Sequence, residues 1–249
     1  MIRLLVLFLL LAAPVKAEEI VLGLSRDEVA ITATFEGSEI LIFGAIKRDA
    51  PIRTDSDLGV IVTVAGPDLP VTVRKKDRRL GIWVNTESVE VDVAPSFYAV
   101  ATNRPLEEIL TFTEDLNTRI STQRAIRSVG ATIDNAQSFT EALIRIRSDQ
   151  GLYIKLPTGV LVQEESLFRT LIPMPANLTE GDYKAEIYLT RGGQIVDLYS
   201  TVIPVQKVGL ERWLYNLAHD SAFLYGLMSL SIAIAAGWGA SAVFTLLRR

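Results

Sequence analysis

Residues 222–247 read AFLYGLMSLSIAIAAGWGASAVFTLL, and Arg248-Arg249 follow them. The run holds 26 residues without one charge. A helix of that length reaches about 39 Å, against about 30 Å of hydrocarbon in a bilayer. It can therefore span with tilt to spare. The alternative, a buried helix of a soluble domain, needs a large core on every side, and the remaining chain is too β-rich and too divided to supply one. The run is read as a membrane anchor. It sets the architecture expected of the whole: a mainly β chain carried on one C-terminal transmembrane helix.

The other end reads as an export signal. Arg3 is a positive n-region, Leu4 to Ala13 is a short apolar run, and Val15-Lys16-Ala17 ends in the small residue that a signal peptidase prefers. Ten apolar residues are too few to span, so residues 1–17 are expected to be a signal peptide. The chain between the two ends is then translocated, and Arg248-Arg249 (248–249) stay inside as the positive-inside rule requires. The expected protein is single-pass and type I, anchored in a bacterial inner membrane. Its ectodomain lies in the periplasm and its C-terminus in the cytoplasm.

Composition narrows the chemistry. The 249 residues include no cysteine and one histidine. Disulfides, thiolate nucleophiles, iron–sulfur clusters and Cys-type zinc sites are therefore excluded. With Arg3, Lys16, Arg248 and Arg249 set aside, 21 of the 25 basic residues remain against all 29 acidic ones, a balance of −8. An acidic exported part disfavours nucleic acid, whose binding rests on neutralising phosphates.

From Glu19 to Val93 the dominant period is two. Val29, Ile31, Ala33 and Phe35 alternate with Glu28, Ala30, Thr32 and Thr34, and Val89-Glu90-Val91-Asp92-Val93 alternates as cleanly. Ile40–Ile46, Val60–Ala65, Val71–Arg74 and Leu80–Val84 lie between, broken by polar turns. Short strands at such spacing predict an immunoglobulin-like β-sandwich over residues 18–100, with Trp83 as a core filler. Past Pro95 the signals turn helical over 101–150. Asn103 is placed to cap, Pro105 suits a first turn, and Leu106, Ile109, Leu110 and Leu116 recur at helical spacing. Ser138 is placed to cap a second helix that carries Phe139, Ala142, Leu143 and Ile146 on one face. Gly130 and Asp134-Asn135 read as the connection. Strands resume over 151–207, where Tyr183, Ala185, Ile187 and Leu189 alternate with Lys184, Glu186 and Tyr188. Arg191-Gly192-Gly193 reads as a hairpin turn. This second β unit is small and is expected to pack with the helical segment. Residues 208–221 form a short juxtamembrane segment whose Trp213 and Tyr215 suit the headgroup region.

Several motifs resemble the alphaproteobacterial transmembrane protein family Alph_Pro_TM. They are Pro95-Ser96-Phe97-Tyr98-Ala99-Val100, Arg104-Pro105-Leu106, Glu141-Ala142-Leu143-Ile144-Arg145 and Gly151-Leu152-Tyr153. Further on come Leu167-Phe168-Arg169, Pro173-Met174-Pro175-Ala176-Asn177 and Gly181-Asp182-Tyr183. The resemblance implies exported proteins with one C-terminal span and transfers no activity or catalytic residue. By association the resemblance also points to a partner, since members look to be often encoded beside a sulfite-exporter-like (TauE/SafE) membrane protein.

Candidate sites are few. His219 sits beside Asp220 at the membrane edge, and one His with one carboxylate falls short of a metal set. A Ser-His-Asp site would have to use it, far from any glycine-rich nucleophile turn. Asp55-Ser56-Asp57 opens like a calcium loop, but the twelfth position is Gly66 where a Glu is needed. Glu107-Glu108 and Glu164-Glu165 would serve acid–base hydrolysis only if folding converged two of them on one cleft. No residue is assigned a catalytic or metal-binding role, no cofactor is expected, and the chain is read as not an enzyme. Two features remain. Arg74, Lys75, Lys76, Arg78 and Arg79 form a basic run that can contact an anion or serve as a solvated hairpin tip. Gly226, Ser229, Ala233, Gly237 and Ser241 form a stripe of small residues along which another membrane helix can approach closely. The leading expectation is a non-catalytic accessory that pairs with an integral membrane partner. The alternative is a binding module for an anionic ligand or polymer at the basic hairpin.

Overall fold

A computed structural model describes residues 18–24, 29–31, 37–48, 57–127, 136–207 and 210–247. The expected signal peptide (1–17), the tail (248–249), Asp55-Ser56, Thr32–Phe35 and the connection at 128–135 lie outside them. The chain divides into two compact units, Met1–Val29 with Glu36–Val205, which holds nearly all of the sheets, and Ala30–Phe35 with Gln206–Arg249, which holds the C-terminal helices.

Twelve strands are described. The first sheet holds β1 (Glu18–Leu24), β3 (Ser38–Arg48), β10 (Leu167–Met174) and β9 (Leu161–Gln163), all antiparallel and in that order. Its β3 buries Ile40, Ile42 and Ile46 and turns Glu39, Phe43 and Lys47 outward. Strand β10 buries Phe168, Thr170, Ile172 and Met174 and exposes Leu167, Arg169 and Leu171. The second sheet runs in the order β2 (Val29–Ile31), β12 (Gln194–Lys207), β11 (Gly181–Arg191), β4 (Leu58–Ala65), β7 (Tyr98–Thr102), β8 (Tyr153–Leu156). A third, two-stranded sheet pairs β5 (Asp68–Arg79) with β6 (Ile82–Pro95). The mainly β expectation therefore holds, together with one C-terminal apolar helix.

The second sheet is dry on both faces at its centre. Every residue of β4 from Leu58 to Val64 is buried, as is all of β7. One face meets the first sheet, where β10 packs on β7. The other is covered by the helical segment, which consists of α1 (Leu106–Ile109), α2 (Phe112–Thr118), α3 (Thr122–Ala125) and α4 (Ala136–Asp149). A Cβ on Gly59 would collide with Thr190 Oγ1 and lie 2.8 Å from Ile109 Cβ, so β4 admits α1 only because it lacks a side chain there.

Pairing crosses the boundaries read from the sequence. Strand β3 pairs with β10, and β4 pairs with β11, so residues 18–100 and 151–207 build the same two sheets. A separate sandwich at 18–100 and a second unit at 151–207 are thus replaced by one interleaved body. Alternation marks which residues form a strand. Partner choice follows from which apolar faces meet, and that is non-local. The parallel pair β7·β8 also lies outside the seven-strand immunoglobulin arrangement of two antiparallel sheets.

The helical segment departs from its expected shape for a similar reason. Asn103 does not cap a helix. Its side-chain carbonyl accepts from the Val60 N–H (2.9 Å) and its amide donates to the Leu58 carbonyl (3.0 Å), which extends the pairing of β4. Pro105 takes the cap position, and α1 ends at once because Leu110 is extended. The Thr111 N–H donates to the Gly193 carbonyl (2.9 Å), at the tip of the β11–β12 hairpin. Thr111 then caps α2, its hydroxyl accepting from Glu114 N–H at 3.4 Å. Leu116 is left exposed. Helix α4 begins two residues before Ser138, so Ser138 is not its cap, while Phe139 and Leu143 are buried as the helical spacing predicts.

Three of the motifs that carry the resemblance meet at β7. Phe97 and Tyr183 place their rings 5.9 Å apart, and Tyr98 and Tyr153 stand edge-on at 6.5 Å. Each phenol reaches back to a carbonyl: Tyr98 to Ile120 (2.7 Å), Tyr153 to Pro95 (2.9 Å), Tyr183 to Thr179 (2.8 Å). Burial raises all three above the ordinary tyrosine value, and Tyr153 is pushed up to about 12 against the opposing pull of Arg147. The unfolded chain ionises near 10, so it releases these protons first. The stability these phenols confer is therefore intact below pH 10 and is lost as pH rises through the folded values. Each contributes a slope approaching about 1.4 kcal/mol per pH unit. Urea midpoints of the detergent-solubilised chain are expected to hold steady to about pH 10 and then fall, less steeply in Tyr153→Phe. A midpoint flat to about pH 12 would contradict the burial of these phenols.

Candidate functional site

Strands β5 and β6 form an arm. At its base Val73, Val89, Val91 and Ala94 are buried, and α4 packs on both strands. From Arg74 outward the pattern changes: every residue from Arg74 to Arg79 is exposed. Six residues of strand carry the chain about 20 Å from Arg74 to the turn. The basic run is thus on the outward strand of a projecting hairpin. Of its five cations, Lys75 pairs with Glu87 at 3.5 Å, an exposed contact of little energetic weight. Trp83 is not a core residue. It lies 68% exposed on the return strand opposite Arg78, and Ile82, opposite Arg79, is 64% exposed.

The turn itself is unusual. Leu80 (φ 50°) and Gly81 (φ 87°) are both left-handed, the conformation of a two-residue hairpin turn that favours Asn-Gly or Asp-Gly. A leucine there costs roughly 1–2 kcal/mol of backbone strain. Its side chain is fully exposed, so packing offsets none of that cost.

The membrane-spanning candidate is α6 (Ala222–Leu247), preceded by α5 (Leu210–Asp220). Residues Ala222–Ser241 have a mean hydropathy of 1.5, and none of that stretch is buried. At about 100° per residue, Gly226, Ser229, Ala233, Gly237 and Ser241 fall within roughly a third of the helix circumference. A Cβ built on Gly226 or Gly237 meets nothing within 4 Å. The small-residue stripe is an open ridge. On α5, Trp213 and Tyr215 are exposed. His219 stacks on Tyr215 with ring centroids 4.0 Å apart, and its Nδ1 lies 2.9 Å from the Tyr215 carbonyl. His219 is thus engaged within its own helix.

The paired carboxylates go to separate structural uses. Arg104 bridges Glu108 (2.9 Å) and Asp57, which ties the entry of the helical segment to the start of β4. Glu164 and Glu165 make the left-handed turn between β9 and β10, with Glu165 3.8 Å from Arg191. A cleft of about 500 Å³ lies between the helical segment and the β7–β8 edge, lined among others by Thr102, Leu106, Glu107, Ser121 and Lys155. Among the described residues that line it, Glu107 is the one carboxylate. Among the described residues, no group of three or more His, Asp or Glu could hold a metal ion.

One surface was not anticipated from the sequence. Val21, Phe43, Leu161, Leu167 and Leu171 are all exposed on β1, β3, β9 and β10. A groove of about 310 Å³ runs among Phe43, Leu161, Leu167 and Arg169. Its signal lay in β10, whose outward parity carries Leu167 and Leu171 beside Arg169. Contiguous exposed apolar side chains of this kind mark interaction surfaces.

Comparison with curated proteins gives no match. Residues 19–245, from the first strand through nearly all of α6, match the family described as Putative transmembrane protein (Alph_Pro_TM), and the chain belongs to that family.

Proposed function

We propose that the protein is a non-catalytic accessory, anchored in the bacterial inner membrane by α6, with its β-rich ectodomain in the periplasm and its C-terminus in the cytoplasm. In this reading α6 pairs laterally with a helix of an integral membrane partner. The observation that carries it is the uncovered apolar surface of Ala222–Ser241 with the open small-residue ridge along it. Lipid tails are as apolar as leucine, so helices associate there by close packing, which Gly226, Ser229, Ala233, Gly237 and Ser241 permit. The sulfite-exporter-like (TauE/SafE) protein suggested by the family resemblance is the first partner to test. A second reading, a binding module for an anionic ligand or polymer, draws on the exposed cations Arg74, Lys75, Lys76, Arg78 and Arg79.

The test is co-purification from mild detergent of the full chain and a co-expressed exporter of that class. Ala233→Leu with Gly237→Leu fills the ridge while keeping the span apolar. The pair is expected to lower recovery of the partner by tenfold or more with the strand-rich unit melting unchanged. Recovery equal to that of the parent chain would overturn lateral pairing.

A further inference from the structure

We propose that the β5–β6 arm is a lipid-docking device, its tip entering the headgroup region of an anionic bilayer end-on. Three observations converge. The tip carries three exposed apolar side chains within four residues, Leu80, Ile82 and Trp83. Around them stand Arg78 and Arg79, directly opposite Trp83 and Ile82 across the hairpin, with Arg74, Lys75 and Lys76 behind. Against these five cations the stretch 74–88 holds two acids, Asp77 and Glu87. Finally, Leu80 keeps a strained left-handed backbone where Asn or Gly would relax it, while its side chain stands fully exposed. Local rules are broken in this way where function requires it.

The chemistry fits one occupant. A soluble polyanion would use the cations and leave Leu80, Ile82 and Trp83 in water. A bilayer interface uses both classes. Tryptophan settles at headgroup level, the aliphatic tip enters the acyl boundary, and arginine stems lie along the apolar surface while their guanidiniums meet phosphate. Both faces of the hairpin carry one apolar residue and one arginine at the tip, which suits end-on entry rather than a strand lying flat. The inference deepens the anionic-contact reading and rests on it for the sign of the ligand's charge.

The test uses the full chain with α6 held in a zwitterionic nanodisc and Trp213→Phe and Trp238→Phe in place, so that Trp83 alone reports. Vesicles with brominated acyl chains are added, either wholly phosphatidylcholine or roughly one third phosphatidylglycerol. Trp83 emission is expected to shift blue and be quenched by the anionic vesicles only. Arg78→Ser with Arg79→Ser should weaken vesicle affinity roughly 25-fold, at about fivefold per basic residue. Leu80→Asn is expected to weaken it about tenfold by removing the apolar tip. Asn suits the turn, so an unchanged or raised melting temperature separates that loss from misfolding. Absence of quenching would overturn the proposal, and so would vesicle affinity unaltered by Leu80→Asn. Polyphosphate is the comparison ligand. If it binds and brominated lipid does not quench, the anionic-contact reading stands and the lipid inference falls. If neither acts, both fall.

Discussion

Tyr183→Ala is expected to lower the stability of the strand-rich unit by roughly 3–5 kcal/mol. Tyr183 is 0% exposed on β11, the strand held between β12 and β4. Removing its ring leaves a cavity beside Phe97 and takes away the partner of the Thr179 carbonyl, 2.8 Å from the phenol oxygen. Such a loss is a large fraction of the roughly 5–15 kcal/mol that holds most domains folded. Tyr183→Phe keeps the ring and drops only the hydrogen bond, so about 1–2 kcal/mol is expected there. Urea unfolding of the detergent-solubilised chain, followed by far-ultraviolet circular dichroism, separates the two. If alanine costs no more than phenylalanine, the packing described around β7 and β11 is wrong.

Much of the strand content was legible because a half-dry strand alternates. Val89-Glu90-Val91-Asp92-Val93 lies in β6 with Val89 and Val91 buried, and Tyr183, Ala185, Ile187 and Leu189 are all buried on β11. Tyr188 shows where alternation stops informing. It stands at the parity of Lys184 and Glu186, yet it is buried, because the second sheet is covered on both faces. Its phenol donates to Glu186 Oε2 at 2.8 Å. Trp83 misled because a tryptophan in a strand says nothing about whether that strand lies in the body or in an arm. The neighbouring run Arg74–Arg79 did hold the clue: it has no apolar residue at either parity, so its strand has no dry face. The break between α1 and α2 could not be read at all, since it is made by the carbonyl of Gly193, some 80 residues away in sequence. Of the features singled out, the placement of the α6 small residues on one open face was legible, because a regular helix fixes its faces by spacing alone. The apolar tip of the arm was not, because Leu80, Ile82 and Trp83 read as ordinary strand residues until their exposure is known.

The second large effect concerns α6. Ile232→Arg with Ile234→Arg places two cations near the middle of the 26-residue helix, where both side chains are exposed. Each arginine at the centre of a span disfavours insertion by about 2.5–3.5 kcal/mol. Together they amount to about four powers of ten in the partition between bilayer and water, reduced in part by side chains reaching toward the headgroups. No carboxylate lies within the span to offset them. Alkaline carbonate extraction of membranes carrying the parent chain and this double variant, with both termini followed by tags, tests the account most directly. The parent chain is predicted to remain wholly with the lipid while the double variant is released. A parent chain recovered intact in the aqueous fraction, or two chains that partition alike, would contradict the claim that lipid surrounds α6.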